Sequence, residues 1–161
     1  MRKIWGISAA LFLLGFAFGC GPAADQAVEP AADPDADRAA IEAWYDQKTE
    51  TTNSGDFEGL RVLFTDDVVF MPPGGALFQG WEEYRKWAQP FFEANDIEEN
   101  ITYEEVGVSG DWAFIRTSYR MTSTPRAGGD SIPARGKAIW LFRRQPDGSW
   151  KGSHCIWNTN E

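Results

Sequence analysis

The residues able to move a proton, attack a carbon or hold a metal are few and scattered. There is one histidine, His154, and there are two cysteines, Cys20 and Cys155. Strand alternation along 150–158 puts Ser153, Cys155 and Trp157 on one face, and His154 with Ile156 on the other. Cys155, in an apolar run, reads as a small core residue rather than a nucleophile. Asp66-Asp67 is a tight acidic pair, and on a turn between elements such a pair more often caps and solvates than coordinates. A lone histidine without a cysteine pair offers no metal-ligand set. There is no Gly-x-Ser-x-Gly elbow, phosphate loop or dinucleotide fingerprint. The residues therefore suggest no metal, no cofactor and no catalytic constellation.

What the chain has in excess is aromatic surface: eight Trp, eleven Phe and four Tyr in 161 residues. Such side chains bury large areas, so a core of about 120 residues built on them can stand without disulfides. They also suit the walls of a hydrophobic pocket. The net charge of −9 opposes binding to phosphate backbones, so nucleic acid is not an expected partner. No polybasic cluster is present to attract anionic lipid head groups.

The elements that must position these side chains begin after an N-terminal address. Arg2 and Lys3 precede an uncharged apolar run, Ile4 to Phe18, too short for a comfortable membrane span and suited to a signal peptide over residues 1–19. Ala17-Phe18-Gly19-Cys20 resembles the bacterial lipobox, which implies acylation of Cys20. The chain is then expected to be exported and held at a membrane only by lipid, in the outer membrane or periplasm of a Gram-negative cell. Residues 20–36, rich in Ala, Pro and Asp without an apolar period, read as a disordered tether. The folded domain is expected over 37–160.

In that domain Asp37 can cap a helix with Ala40, Ile41, Trp44, Tyr45 and the stem of Lys48 on one face, ending at Asn53-Ser54-Gly55. Asp56 caps a short helix over 57–64, with Leu60, Leu63 and Phe64 inward. A strand over 67–71 stops at Pro72-Pro73-Gly74-Gly75. Trp81, Tyr84, Trp87, Ala88 and Phe91 recur at helical spacing, and Pro90 is expected to kink or end that helix. Strands follow over 101–108, 112–123, 135–144 and 150–158, with hairpin turns at Ser109-Gly110-Asp111 and Pro146-Asp147-Gly148. Helices first and hairpin-linked strands after make an α+β domain with a largely antiparallel sheet.

Tyr45 through Asn158 resembles the SnoaL-like branch of the nuclear transport factor 2-like superfamily. The residues carrying the likeness are Asn53-Ser54-Gly55-Asp56-Phe57, Phe64 through Gly74, Gly80, Ser109 through Ala113, Gly136-Lys137, Arg144 through Trp150, and Trp157-Asn158. The resemblance implies a cone-shaped curved sheet wrapped around three helices, with a pocket on the concave face and a convex face that often forms a homodimer. It does not imply an activity, because the fold hosts isomerases, hydrolases, cyclases, dehydratases and association domains.

The three polar groups of ketosteroid isomerase, the best-understood relative, would fall on Met71, on Lys48, and near Ala138 or Trp140, and none matches the required type. The His–Asp pair of the cyclase and hydratase type is also lacking, since the resemblance turns His154 away from the pocket. Alternation combined with the family pattern makes Trp44, Lys48, Phe70, Trp87, Phe91, Tyr119, Trp140 and Trp157 the candidate ligand-binding residues. Lys48 facing an apolar cavity would have a depressed pKa and could bind an acidic ligand or act as a base; the blander expectation is that it snorkels to solvent. The expected partner is a small, mostly apolar molecule. Alternatives are an enzyme moving protons on a hydrophobic substrate through Lys48, Tyr119 or a water, and a dimerisation module with a filled interior.

Overall fold

The computed structural model describes residues 33–160. The export segment, Cys20 and the tether up to residue 32 lie outside the described residues.

Helix α1 spans Pro34–Asn53 and is capped by Asp33, whose carboxylate accepts from the Asp35 and Ala36 amides at 3.1 and 3.3 Å. Proline in the first turn lacks only an N–H that would be orphaned anyway, so the helix starts four residues earlier than expected. Asp37 is thus not its cap. It is a buried acid inside the first turn, held by Arg144 and Trp150. The inward stripe of α1 is Asp37, Ile41, Trp44, Tyr45 and Thr52, while Ala40 is exposed. Gly55, at φ 73°, lets the chain leave the helix end, the left-handed conformation that glycine adopts without steric cost.

Asp56 caps α2, Phe57–Leu60, by accepting from Gly59 N at 2.9 Å. A 3-10 turn over Arg61–Leu63 follows, so the second helix is shorter than expected. Its end is pulled into β1, Phe64–Met71, where Phe64 pairs with Gly152 of the last strand. Strand β2, Phe78–Gln79, folds back on β1, and α3 runs over Trp81–Ala94. Pro90 neither ends nor truncates α3. On the exposed side, Arg85 donates to Gln89 and Gln89 to Glu93, at 3.1 and 2.7 Å, bridging the turns around the proline. On the inner side Trp81 and Ala88 are buried.

Four long strands complete the domain: β3 Asn95–Ser109, β4 Trp112–Pro125, β5 Ile132–Arg144 and β6 Trp150–Thr159. The order across the six-stranded sheet is β2-β1-β6-β5-β4-β3, antiparallel except for the parallel β1–β6 pair. The α+β class expected from the element order is the one observed. Strand β3 starts six residues earlier than expected. Asn95 ends α3 by donating to Phe91 O, and pairing with β4 then runs from Asn95↔Pro125 to Ser109↔Trp112, with one register shift between Tyr103 and Glu105.

One face of the sheet carries Phe70, Ala113, Ile115, Ala138, Trp140, Phe142 and Cys155 against the helices, all buried. Around Trp44 the interior is solid: its ring lies within 6 Å of Tyr45, Phe64, Trp140 and Phe142, and its Nε1 donates to Leu63 O at 2.8 Å. The opposite sheet face exposes Ile139, Leu141 and Ile156.

Candidate functional site

Beyond Tyr45 the interior opens into a cavity of about 450 Å³, within the range of small-molecule sites. Its sheet wall is Phe70, Tyr119, Ala138, Trp140, Cys155 and Trp157. Helix α3 supplies Tyr84, Trp87, Ala88 and Phe91, while Tyr45, Lys48 and Thr52 come from α1. Seven of the eight candidate residues therefore share this one cavity: Lys48, Phe70, Trp87, Phe91, Tyr119, Trp140 and Trp157. Trp44 does not. It points into the packed aromatic end, because its side chain fills the space between Phe64 and Phe142. Trp87 and Phe91 line the cavity while remaining 50% and 41% exposed, so they mark its mouth rather than its interior.

The polar groups of the cavity are concentrated on α1 and the start of β3. The Lys48 ammonium donates to Glu99 Oε2 in an ion pair whose two side chains are 12% and 11% exposed. Lys48 thus does not snorkel to solvent. Burial alone would lower its pKa, but the negative charge of Glu99 and its hydrogen bond prevail with the Tyr45 and Tyr84 hydroxyls, and the net shift is upward. The expected depression is therefore reversed: Lys48 is a fixed cation, not a base. Its Nζ also lies 5.5 Å from the Tyr45 ring centroid, within cation–π reach.

Glu99 escaped the sequence reading, which placed no strand there. The signal was the alternation Ile97, Glu99, Ile101, in which the acid occupies an inward position between two apolar ones. Its backbone is clamped to α1 by Asn53, whose amide accepts from Glu99 N at 2.6 Å and donates to Glu99 O at 3.0 Å. The pair is therefore held by main chain as well as by charge.

Three phenols and one threonine complete the polar set. Tyr45 shares a hydrogen bond with buried Thr117 at 3.2 Å, and burial pushes its phenol up to about 12 despite the nearby Lys48. The Tyr84 ring stacks on Phe70 at 3.7 Å, burial raises its phenol, and its hydroxyl has no hydrogen-bond partner among the described residues. Tyr119 lies across Gly136, its neighbour in β5, and donates to Asn158 O on β6 at 3.2 Å, a crossing that only a residue without Cβ permits. Among the described residues, buried Thr52 has no hydrogen-bond partner for its hydroxyl. Burial raises the Cys155 thiol well above its usual range, which suits a packing residue. His154 lies on the far face of β6, against Ser153 Oγ and the Trp112 ring, and takes no part in the cavity. Among the described residues no group of three His, Cys, Asp or Glu could hold a metal, and no helix is long and apolar enough to cross a membrane.

This geometry can take up an apolar body and present it with a cation, an anion and phenols at one end. An aromatic cavity of this kind is compatible with ligand binding or with isomerase- or dehydratase-type chemistry.

The model of the SnoaL-like domain matches residues 41–152. None of the curated proteins matches the chain in sequence. Among solved structures, a conserved protein from Planctomyces limnophilus is 32% identical with a TM-score of 0.73, covering 78% of this chain and 99% of that one. A ketosteroid isomerase-like protein from Erwinia carotovora is 28% identical with a TM-score of 0.70, covering 78% and 97%. A candidate dehydratase of the NTF2-like family from Streptomyces avermitilis is 25% identical with a TM-score of 0.70, covering 80% and 99%. With the matched segment running from the middle of α1 into β6, and the helices and sheet in the order above, the chain belongs to the SnoaL-like domain family.

Proposed function

We propose that this is an exported, lipid-anchored domain that takes a small, mostly apolar molecule into its cavity. The observation that carries the binding reading is the hollow itself. About 450 Å³ remains open in an interior that is elsewhere filled by aromatic side chains, and it is walled by Phe70, Tyr84, Trp140 and Trp157. A filled association module would have closed it. The test is titration of the purified domain with N-phenyl-1-naphthylamine, an uncharged probe that fluoresces in apolar surroundings. Saturable binding of one probe per chain is expected. Ala138→Phe, which adds a ring into the cavity from β5, should weaken it at least tenfold while circular dichroism stays unchanged. No saturable binding by the unsubstituted domain, or equal binding by the variant, refutes the reading.

The Lys48–Glu99 pair favours a second reading, proton transfer on a bound hydrophobic substrate. There Lys48 would polarise a carbonyl. Tyr119, whose hydrogen is engaged by Asn158, would be secondary. In a turnover assay Lys48→Met would then abolish activity that Tyr119→Phe leaves largely intact.

The proposed partners follow the same lines. The exposed apolar face of Ile139, Leu141 and Ile156 supports a homodimer, which light scattering of an Ile139→Glu, Ile156→Glu variant tests by loss of half the mass. Lipidation at Cys20 is tested by palmitate incorporation, expected in the unsubstituted chain and lost in Cys20→Ser.

A further inference from the structure

Resting on the ligand-binding reading, we infer that the Lys48–Glu99 pair is the recognition element of the cavity and selects an uncharged ligand carrying a hydrogen-bond acceptor beside a donor, as in a primary amide or a hydroxyketone, over a carboxylate or an amine of the same shape.

The inventory of hydrogen-bonding capacity points there. An ammonium has three donors, and Lys48 uses one, on Glu99 Oε2. A carboxylate has two acceptor oxygens, and Glu99 Oε1 has no partner among the described residues. The pair thus offers donors and an acceptor side by side, at a cavity wall where solvent reaches only about a tenth of either side chain. Thr52, one turn along the same helix stripe as Lys48, lines the same cavity, and its buried hydroxyl has no partner among the described residues. Tyr84, on the facing helix, lines the cavity, and its hydroxyl has no hydrogen-bond partner among the described residues. Donors of Lys48 and an acceptor of Glu99 left unengaged in an apolar hollow are costly, and a ligand that completes them recovers that cost.

Charge then decides the class. The pair sums to zero, so an entering carboxylate would compete with Glu99 for Lys48 and leave one anion uncompensated. An entering ammonium would do the same with Lys48. In a water-poor cavity an unpaired charge is opposed far more strongly than at a surface. Only a neutral donor–acceptor end adds hydrogen bonds without disturbing the balance. Asn53 holds the Glu99 main chain in place, so the carboxylate enters the cavity from a fixed anchor point.

The test is calorimetric titration at pH 7 of the whole domain with four probes sharing one ring system: 2-naphthamide, 2-naphthoate, 2-naphthylmethylammonium and 2-methylnaphthalene. The amide is expected to bind at least tenfold more tightly than either ion and severalfold more tightly than the hydrocarbon. In Glu99→Gln, which leaves the Lys48 charge alone, the order should invert in favour of the naphthoate. The double variant Lys48→Met, Glu99→Leu replaces the pair by apolar groups of similar volume, an exchange that folded proteins tolerate. It should bind the amide and the hydrocarbon equally, and it keeps the test open if the single variant fails to fold. Binding of the hydrocarbon without discrimination among the four overturns this inference and leaves the cavity reading standing. Binding of none overturns both.

Discussion

Replacing Asp37 by Asn tests how the front end of the domain is fastened. Asp37 accepts from both terminal nitrogens of Arg144, at 2.7 and 2.6 Å, and from Trp150 Nε1 at 3.2 Å. The guanidinium in turn lies 4.3 Å from the centroid of the Trp150 ring. The clamp ties the first turn of α1 to the ends of β5 and β6, more than a hundred residues away in sequence. Removing one partner of a buried pair costs about 3–5 kcal/mol. Arg144 is 21% exposed and keeps Asp111 at 3.6 Å, so we expect less than this, about 2–3 kcal/mol. For a domain of this size that is a fall in Tm of roughly 10 °C.

Urea unfolding followed by tryptophan fluorescence reads the loss as a shift in midpoint at unchanged slope. The pH dependence has a definite sign. The Arg144 hydrogen bonds hold the Asp37 carboxyl below its ordinary value, with Trp150 adding to them against the opposing effect of burial. A carboxyl with a lowered folded-state pKa contributes stability that is present above its unfolded value, about pH 4, and is lost as pH falls through the folded one. The gap between the unsubstituted domain and Asp37→Asn should therefore be constant from pH 7 to 5 and narrow below 4. A gap under about 0.5 kcal/mol at pH 7, or one that does not narrow in acid, refutes the clamp.

Gly136→Ala should cost about 1–3 kcal/mol, because its Cβ would collide with the carbonyl oxygen of Asn158 and the hydroxyl of Tyr119; adding Tyr119→Phe should not rescue the urea midpoint, since the backbone oxygen remains. Asn53→Ala removes both hydrogen bonds to the Glu99 main chain and should lower stability by roughly 1–2 kcal/mol, while Asn53→Asp, which keeps only the acceptor, recovers part of it in the same titration. The Cys155 thiol, 1% exposed, should not react with a thiol-specific disulfide reagent at pH 8 in the folded domain and should react with one equivalent in urea.

The features visible in the sequence are those whose cause is local. The Asp56 cap, the alternation that buries Cys155 and turns His154 away, and the hairpin turns before β4 and β6 depend on neighbours within a few residues. The ring of aromatic cavity residues was legible because the family pattern supplied the register and alternation supplied the face. The misses depend on distant partners. Asp37 has the residue type of a cap, and only Arg144, across the domain, makes it a buried anion. Pro90 obeys the local rule for breaking helices until the packing of Trp81 and Ala88 and the outer side-chain bridges outweigh it. Lys48 read as a snorkelling stem because none of the positions three or four residues away on its helix face is acidic. Its partner sits 51 residues away, in a polar run whose period-2 pattern is only Ile97, Glu99 and Ile101.

The position of the cavity follows from how the inward stripe of α1 changes character along its length. Its first turn presents Asp37 to a guanidinium, its middle presents Ile41, Trp44 and Tyr45 to a close-packed aromatic layer, and its last turns present Lys48 and Thr52. Successive members of such a stripe are about 6 Å apart along the axis, so one turn separates solid core from hollow. A leucine at Lys48 and a valine at Thr52 would have continued the packing into that space. The chain instead places there a charge neutralised by a group from β3, and a hydroxyl with no partner among the described residues. Arg144 and Asp37 show that this domain can bury an ion pair with nearly every polar atom engaged. The incomplete engagement of Lys48 and Glu99 is therefore a local property of the cavity wall, and it is what an incoming polar group would complete.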